Sequence, residues 1–187
     1  MGFYNSVPEE DVFRDKIFKW IVDIVLMLVL VTFFVVYYGN QLEVDGNSMK
    51  STLENGDTVM VNTIRYRAFS PKRYDVALIQ KQDSYGNSVS YIKRVVGLPG
   101  ETVEIKQGRI YIDGEKLDFN DDKENIINAG IAASGLKLGK DEYFVIGDNW
   151  NNSEDSRSDS VGVIKRDEFA GKVWAVSWPF ADITLVR

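Results

Sequence analysis

Ser48 and Lys93 are the residues of this chain best suited to covalent chemistry. Ser48 lies in GNSMKSTL (Gly46 to Leu53), a turn-like stretch after a predicted strand, and Gly46 beside it permits close approach of another backbone. Lys93 lies in SYIKRVVG, with Tyr91 and Ile92 before it and Val95 and Val96 after it. A serine hydroxyl needs a base to become a nucleophile, and lysine can serve. A free lysine, with a pKa of ~10.4, is protonated at neutral pH, so it must be desolvated to act as one. An apolar strand offers that setting, and the period-two alternation puts Lys93 on one face with Tyr91 and Val95. The same residues fit an ordinary sheet strand and a solvated turn, so periodicity leaves both readings open.

Two absences narrow the chemistry. The chain has no histidine and no cysteine. A Ser-His-Asp triad and a cysteine nucleophile are therefore impossible. So are the His and Cys sites that hold zinc, iron or haem, which leaves only oxygen-ligand ions such as Mg²⁺ or Ca²⁺. The net charge of -6 and pI of about 4.8 argue against a phosphate-backbone partner, so no nucleic acid is expected.

The elements that must position these residues begin with an anchor. WIVDIVLMLVLVTFFVVYY (Trp20 to Tyr38) carries one charge, Asp23, near its start. At 1.5 Å per residue such a stretch spans roughly 28 Å, close to the hydrocarbon thickness. Arg14, Lys16 and Lys19 precede it, and the next basic residue is Lys50, which predicts an N-terminus in the cytoplasm and the rest outside. A cleaved signal peptide is the rival, but GNQLEVDGN after Tyr38 shows no small-x-small cleavage pattern, which favours an uncleaved anchor.

Short strands follow: LEVDG, DTVMVNTI, YDVALIQ, SVSYIKRVVG, ETVEI, RIYIDGEKL, EYFVIGD and GKVWAVSWPF, with Asp113-Gly114 as a two-residue hairpin signal. Asp118 to Glu124 is acidic, and Ile126 to Lys140 is rich in Gly and Ala and predicts a loop or small insert. The predicted fold class is mainly β. One transmembrane helix is followed by a β domain of the barrel or sandwich kind. The predicted boundaries are 1–19 for a cytoplasmic N-terminus, 20–38 for the anchor and 39–187 for an extracytoplasmic domain, with an inserted hairpin or cap near 104–142.

Ordered blocks along the chain resemble the type I signal peptidases of the Gram-positive kind. GNSMKSTLENGDTVMVN resembles that family's serine block, and YDVALI its short strand block. YIKRVVGLPGETVEI resembles the lysine block, GDNWNNSEDSRSDSVG the last block and GKVWAVSWPF the closing strand. The resemblance implies a Ser/Lys serine endopeptidase that removes signal peptides from exported preproteins and needs no cofactor. Ser48 would attack the scissile carbonyl, Lys93 would take its proton, and the Ser48 N–H would supply part of the oxyanion hole. Ser153 would hydrogen-bond and orient Lys93. Asp155 and Arg157 would form a salt bridge, and Asp148 and Asn149 would form a Gly-Asp-Asn corner. The preprotein would add as a strand between Leu42–Asp45 and Ser90–Ile92. Val44, Asp45, Gly46, Met49, Ser90, Tyr91 and Ile92 would line shallow pockets that admit an Ala-x-Ala pattern, with membrane lipid as the other partner.

The chain departs from the family pattern in four places. Ser51 stands where proline is usual, Trp150 where arginine is usual, and Gly46 where some members carry a second oxyanion donor. The segment from Arg157 to Gly162 is a residue or two longer than the family pattern. These departures suggest a divergent member with a narrow substrate set, such as pilins. Two alternatives stand beside it. A self-cleaving repressor-type Ser/Lys protease is opposed by the anchor and the lack of a DNA-binding helical domain. A non-catalytic or weakly active factor for surface pilus assembly is opposed by the presence of both Ser48 and Lys93.

Overall fold

A computed structural model of the chain describes residues 9–38, 40–82, 86–119, 124–179 and 183–186, with side chains of the first helix described from 13 to 33. Residues 1–8 of the expected cytoplasmic segment and 120–123 of the acidic run lie outside the described residues. The chain divides into two units, Met1–Gly39 and Asn40–Arg187.

The first unit is one helix, α1 (Glu9–Tyr38). Its described side chains from Trp20 to Phe33 are largely apolar and exposed around the whole circumference, Trp20 and Leu28 among them. Among the described residues, no helix is long and apolar enough to cross a membrane.

The second unit is mainly β. β1 (Gln41–Glu43), β2 (Thr58–Asn62), β3 (Val76–Gln82) and β4 (Ser88–Gly97) come first, with a one-turn helix α2 (Arg65–Ala68) between β2 and β3. β5 (Thr102–Lys106), β6 (Arg109–Ile112), β7 (Glu115–Lys116) and β8 (Leu136–Lys137) follow. The chain closes with β9 (Glu142–Ile146), β10 (Ile164–Lys165), β11 (Phe169–Trp178) and β12 (Thr184–Leu185). The larger sheet runs β1-β2-β11-β3-β4-β9-β10, with β12 on β11, and all its pairs are antiparallel. The smaller sheet runs β7-β6-β5-β8 and occupies Thr102–Lys137, much of the segment assigned to the insert. Asp113 and Gly114 turn β6 into β7 with φ of 51° and 87°, the left-handed pair that a type I′ turn requires.

The strand that carries Lys93 is shared among three cores because side chains alternate along it. Tyr91 and Val95 pack with Ala77, Ile79 and Tyr143. Ile92 packs on the other face with Val44, Met49, Val59 and Val76. Val96 joins Phe144, Ile146 and the smaller sheet. β4 pairs with β3 from Ser88 to Arg94, but with β9 only from Arg94 to Gly97. Among the described residues, the segment before Lys93 therefore has one strand neighbour, and β1 lies at the end of the sheet beside β2. Leu42 of β1 and Ile92 of β4 pack against the same apolar cluster.

Candidate functional site

Ser48 and Lys93, forty-five positions apart, meet at 2.6 Å between Oγ and Nζ. The turn that presents Ser48 is built by its neighbours. Gly46 takes φ 92°, and its N–H donates to Asn55 Oδ1 at 2.7 Å. Lys50 N–H donates to Asn47 O, while Thr52 and Leu53 N–H both donate to Met49 O. Met49 and Leu53 anchor the turn from below, each 1% exposed. Asn149 holds it from the side: its N–H donates to Ser48 O at 3.0 Å and its Nδ2 to Asn47 O at 3.0 Å. Ser48 N–H has no partner among the described residues, so it remains available to a developing oxyanion.

Lys93 is 4% exposed, and no carboxylate stands within ion-pair distance of it among the described residues. Its Nζ lies 5.9 Å from the centre of the Tyr91 ring. Burial pushes its ammonium below the ordinary lysine range. Asp155 and Glu154 pull the other way through space, and Arg157 adds a smaller downward push. A lysine so placed can release its proton and accept one from the serine hydroxyl.

Arg94, one residue on, points to the opposite face. Its Nε donates to Asp148 Oδ1 at 2.8 Å and its Nη2 to Asp148 Oδ2 at 2.6 Å. Thr52 Oγ1 donates to the same Asp148 oxygen at 2.5 Å, and Arg94 also reaches Thr52 Oγ1 and Tyr74 O. Sequence reasoning missed Arg94 and Thr52. The available signal was a second cation inside an apolar strand, which burial obliges to find a carboxylate. Asp148 is thus the counter-ion of a buried arginine as well as part of the corner after β9.

Asp155 and Arg157 pair through two bonds of 2.8 Å, with side chains 0% and 7% exposed. Asp155 also accepts from Gly147 N–H at 3.0 Å, which fastens the 153–157 loop to the end of β9. Ser153 Oγ is buried and has no hydrogen-bond partner among the described residues, so the expected bond to Lys93 is not made here. The crowding explains where it sits: a Cβ on Gly147 would collide with Ser153 Oγ and with Ser48 O. Only glycine at 147 lets these two serines share that corner.

The expected substrate-binding residues fall into two sets. Val44 and Met49 are buried in the core below Ser48. Tyr91 and Ile92 are half-buried, while Asp45 and Ser90 are exposed and Gly46 half-exposed. Two departures find physical reasons. Ser51 adopts φ 97°, which a proline ring, fixed near −65°, cannot reach. Trp150 is 4% exposed and completes the core between β9 and the smaller sheet. The long segment after Arg157 satisfies itself locally, with Gly162 N–H donating to Ser158 O and Ser160 Oγ to Glu154. Among the described residues no His, Cys, Asp and Glu cluster could hold a metal ion.

The chain matches the family model described as signal peptidase, peptidase S26, over residues 17–178. Signal peptidase I P of Bacillus subtilis subsp. natto is 33% identical over 189 residues, covering 95% of this chain and 98% of that protein. Signal peptidase I T of Bacillus subtilis strain 168 is 36% identical over 148 residues, covering 75% and 74%. A crystal structure of a signal peptidase I from Enterococcus faecalis V583 is 30% identical, with a TM-score of 0.44, over 56% of this chain and 97% of that one.

Proposed function

Because this chain belongs to the signal peptidase family, peptidase S26, whose members are serine endopeptidases, we propose that it removes N-terminal signal peptides from exported preproteins with Ser48 as nucleophile and Lys93 as base. The observation that carries this reading is the 2.6 Å contact between Ser48 Oγ and a buried Lys93 that has no carboxylate partner. Neutral Lys93 takes the hydroxyl proton as Ser48 Oγ bonds to the scissile carbonyl carbon. The Ser48 N–H donates to the oxyanion. Lys93 then gives its proton to the leaving amine as the C–N bond breaks, which frees the mature protein. A water molecule, deprotonated by Lys93, hydrolyses the acyl-enzyme and releases the signal peptide. Ser153 serves as a positioning residue for Lys93, and its Oγ forms that bond when substrate fills the site.

The signal peptide lies as an added strand between β1 and the Ser90–Ile92 part of β4. Both strands have room for a new neighbour in the ladder. Alternate side chains meet the apolar floor made by Val44, Met49 and Ile92, which admits alanine and excludes large groups. The α1 helix is a single-pass anchor, with Arg14, Lys16 and Lys19 on the cytoplasmic side and the β unit on the outer face. The substrate set is narrow, centred on surface proteins such as pilins.

Detergent-solubilised full-length chain, incubated with a preprotein, tests the reading. Cleavage after an Ala-x-Ala sequence is expected, with none when phenylalanine replaces the alanine before the cut and none with Ser48→Ala. Equal cleavage of the alanine and phenylalanine substrates would overturn the binding mode. Cleavage by Ser48→Ala would overturn the mechanism. External protease on intact spheroplasts should digest the chain beyond Gly39, and protection of that part would reverse the topology.

A further inference from the structure

Ser48 is flanked by two peptide groups, and Asn149 bonds to both. Its backbone N–H donates to Ser48 O at 3.0 Å, and its side-chain Nδ2 donates to Asn47 O at 3.0 Å. The mechanism proposed above uses the Asn47–Ser48 group, whose N–H is the oxyanion donor. That peptide is trans and planar, so its C=O and N–H point in opposite directions. Whatever fixes the oxygen therefore also fixes the direction of the N–H. Two donors converge on that oxygen. Lys50 N–H, at 3.1 Å, belongs to the local turn and moves with it. Asn149 Nδ2 comes from 102 positions away and ties the peptide to the corner after β9.

The corner is a firm support. Asp148, 1% exposed, is gripped through both carboxylate oxygens by Arg94 and through one of them by Thr52. Gly147 N–H donates to Asp155 Oδ2, and Asn149 O accepts Asn152 N–H at 3.0 Å. Gly147 also backs the nucleophile's own carbonyl, since a Cβ there would stand 2.5 Å from Ser48 O. Gly46 has no side chain to offer an oxyanion, and its N–H is given to Asn55 Oδ1.

We propose that Asn149 is a positioning residue for the oxyanion donor: its side-chain amide, by holding Asn47 O, aims the Ser48 N–H at the place where the tetrahedral oxygen forms. The inference rests on the reading of Ser48 as nucleophile. A misaimed donor costs the transition state, where the oxygen carries charge, more than it costs bound substrate. Loss of the amide is therefore felt in kcat and not in KM.

Two variants of the full-length chain test this. Asn149→Leu keeps the approximate size of the side chain and the backbone N–H while removing the amide, and Asn149→Ala removes it at smaller volume. Each should lower kcat by ~10- to 50-fold, less than the ~10²- to 10³-fold that follows loss of an oxyanion donor, with KM within about twofold of wild type. A peptide aldehyde carrying the sequence before the cut provides a second measure, because Ser48 Oγ adds to its carbonyl carbon and its oxygen meets the same N–H. Its Ki should rise by the factor by which kcat falls, while the Ki of the matching peptide carboxamide, which stays planar, should not change. The pH at which the activity limb is centred should also stay in place. Asn151→Ala, on the same loop but bonded through its side chain to Asn125 O and Ile127 N–H, should keep kcat near wild type. Unchanged kcat in both Asn149 variants, with the aldehyde still inhibiting wild type, would overturn the role and leave Ser48 as nucleophile. Equal weakening of aldehyde and carboxamide would make Asn149 a substrate contact, a displaced pH limb would place the effect on Lys93, and an equal loss in Asn151→Ala would assign it to a loosened loop; each overturns the proposal. A wild type that neither cleaves preprotein nor binds the aldehyde more tightly than the carboxamide would remove the Ser48 reading itself.

Discussion

Lys93 and Arg94 are consecutive on β4 and buried to nearly the same degree, 4% and 3% exposed, yet the fold treats them in opposite ways. Arg94 is matched by both oxygens of Asp148, with Thr52 and Tyr74 O completing its bonds. Among the described residues, Lys93 receives one hydroxyl, Ser48 Oγ, and no paired carboxylate. A paired guanidinium stays charged and holds β4 to the corner after β9. An unpaired ammonium in an apolar setting is poised to lose its proton. The choice of residue type follows: arginine is charged at every accessible pH, whereas the lysine pKa moves readily on burial. On the proposed mechanism, adjacent positions on one strand divide structure from chemistry by facing opposite sides.

The sharpest way to break this contrast is to exchange the chemistry of the lysine. Lys93→Ala and Lys93→Arg should each lower kcat/KM by at least ~10³-fold, because neither can accept the Ser48 proton. Substantial cleavage by Lys93→Arg would show that the position needs only a cation, as Arg94 does.

Next in size is the reverse experiment on the structural side. Asp148→Ala leaves Arg94 buried and uncompensated, which should cost about 3–5 kcal/mol. For a unit of this size that is a fall in Tm on the order of 10 °C by differential scanning calorimetry. A fall under about 2 °C would mean that Arg94 reaches water or another carboxylate.

The same calorimetry on Lys93→Met should give the opposite sign. The folded pKa of Lys93 lies below its unfolded value, so the unfolded chain binds the proton more readily. The resulting penalty is fully present below the folded pKa and fades as pH rises through the window up to the ordinary lysine value. Lys93→Met should therefore be at least as stable as wild type near neutral pH, and its advantage should shrink toward pH ~10.4. In parallel, wild-type kcat/KM should rise with pH along a limb centred below that value. A large loss of stability in Lys93→Met would place Lys93 with Arg94 as a charged structural partner.

The smallest effect is expected at Ser153. Its buried Oγ has no partner among the described residues, so Ser153→Ala should leave the unfolding free energy unchanged within about 0.5 kcal/mol. If the hydroxyl orients Lys93 in the loaded site, kcat should fall by ~10- to 100-fold with KM little changed. An unchanged kcat would remove Ser153 from the site.

Much of this was legible in the linear chain, because its signals are local. Alternation and β-branching marked β2, β3, β4, β9 and β11, and Asp113-Gly114 marked the β6–β7 turn, since each reflects a residue's own backbone preference. The lack of histidine and cysteine reduced the possible bases to a few types, and Lys93 stood out because a lysine between valines and an isoleucine is costly to bury. Short pieces such as β8, β10 and β12 were not legible, since two-residue strands depend on a partner rather than on propensity. The same holds for the pairings that make the site. Nothing within GNSMKSTL or YIKRVVG states that Ser48 and Lys93 meet, that Arg94 takes Asp148, or that Ser153 crowds Ser48 at Gly147. Those contacts join residues 45, 54 and 105 positions apart. The strand order brings them together through β3, β4 and β9, and distance along the chain carries no record of it.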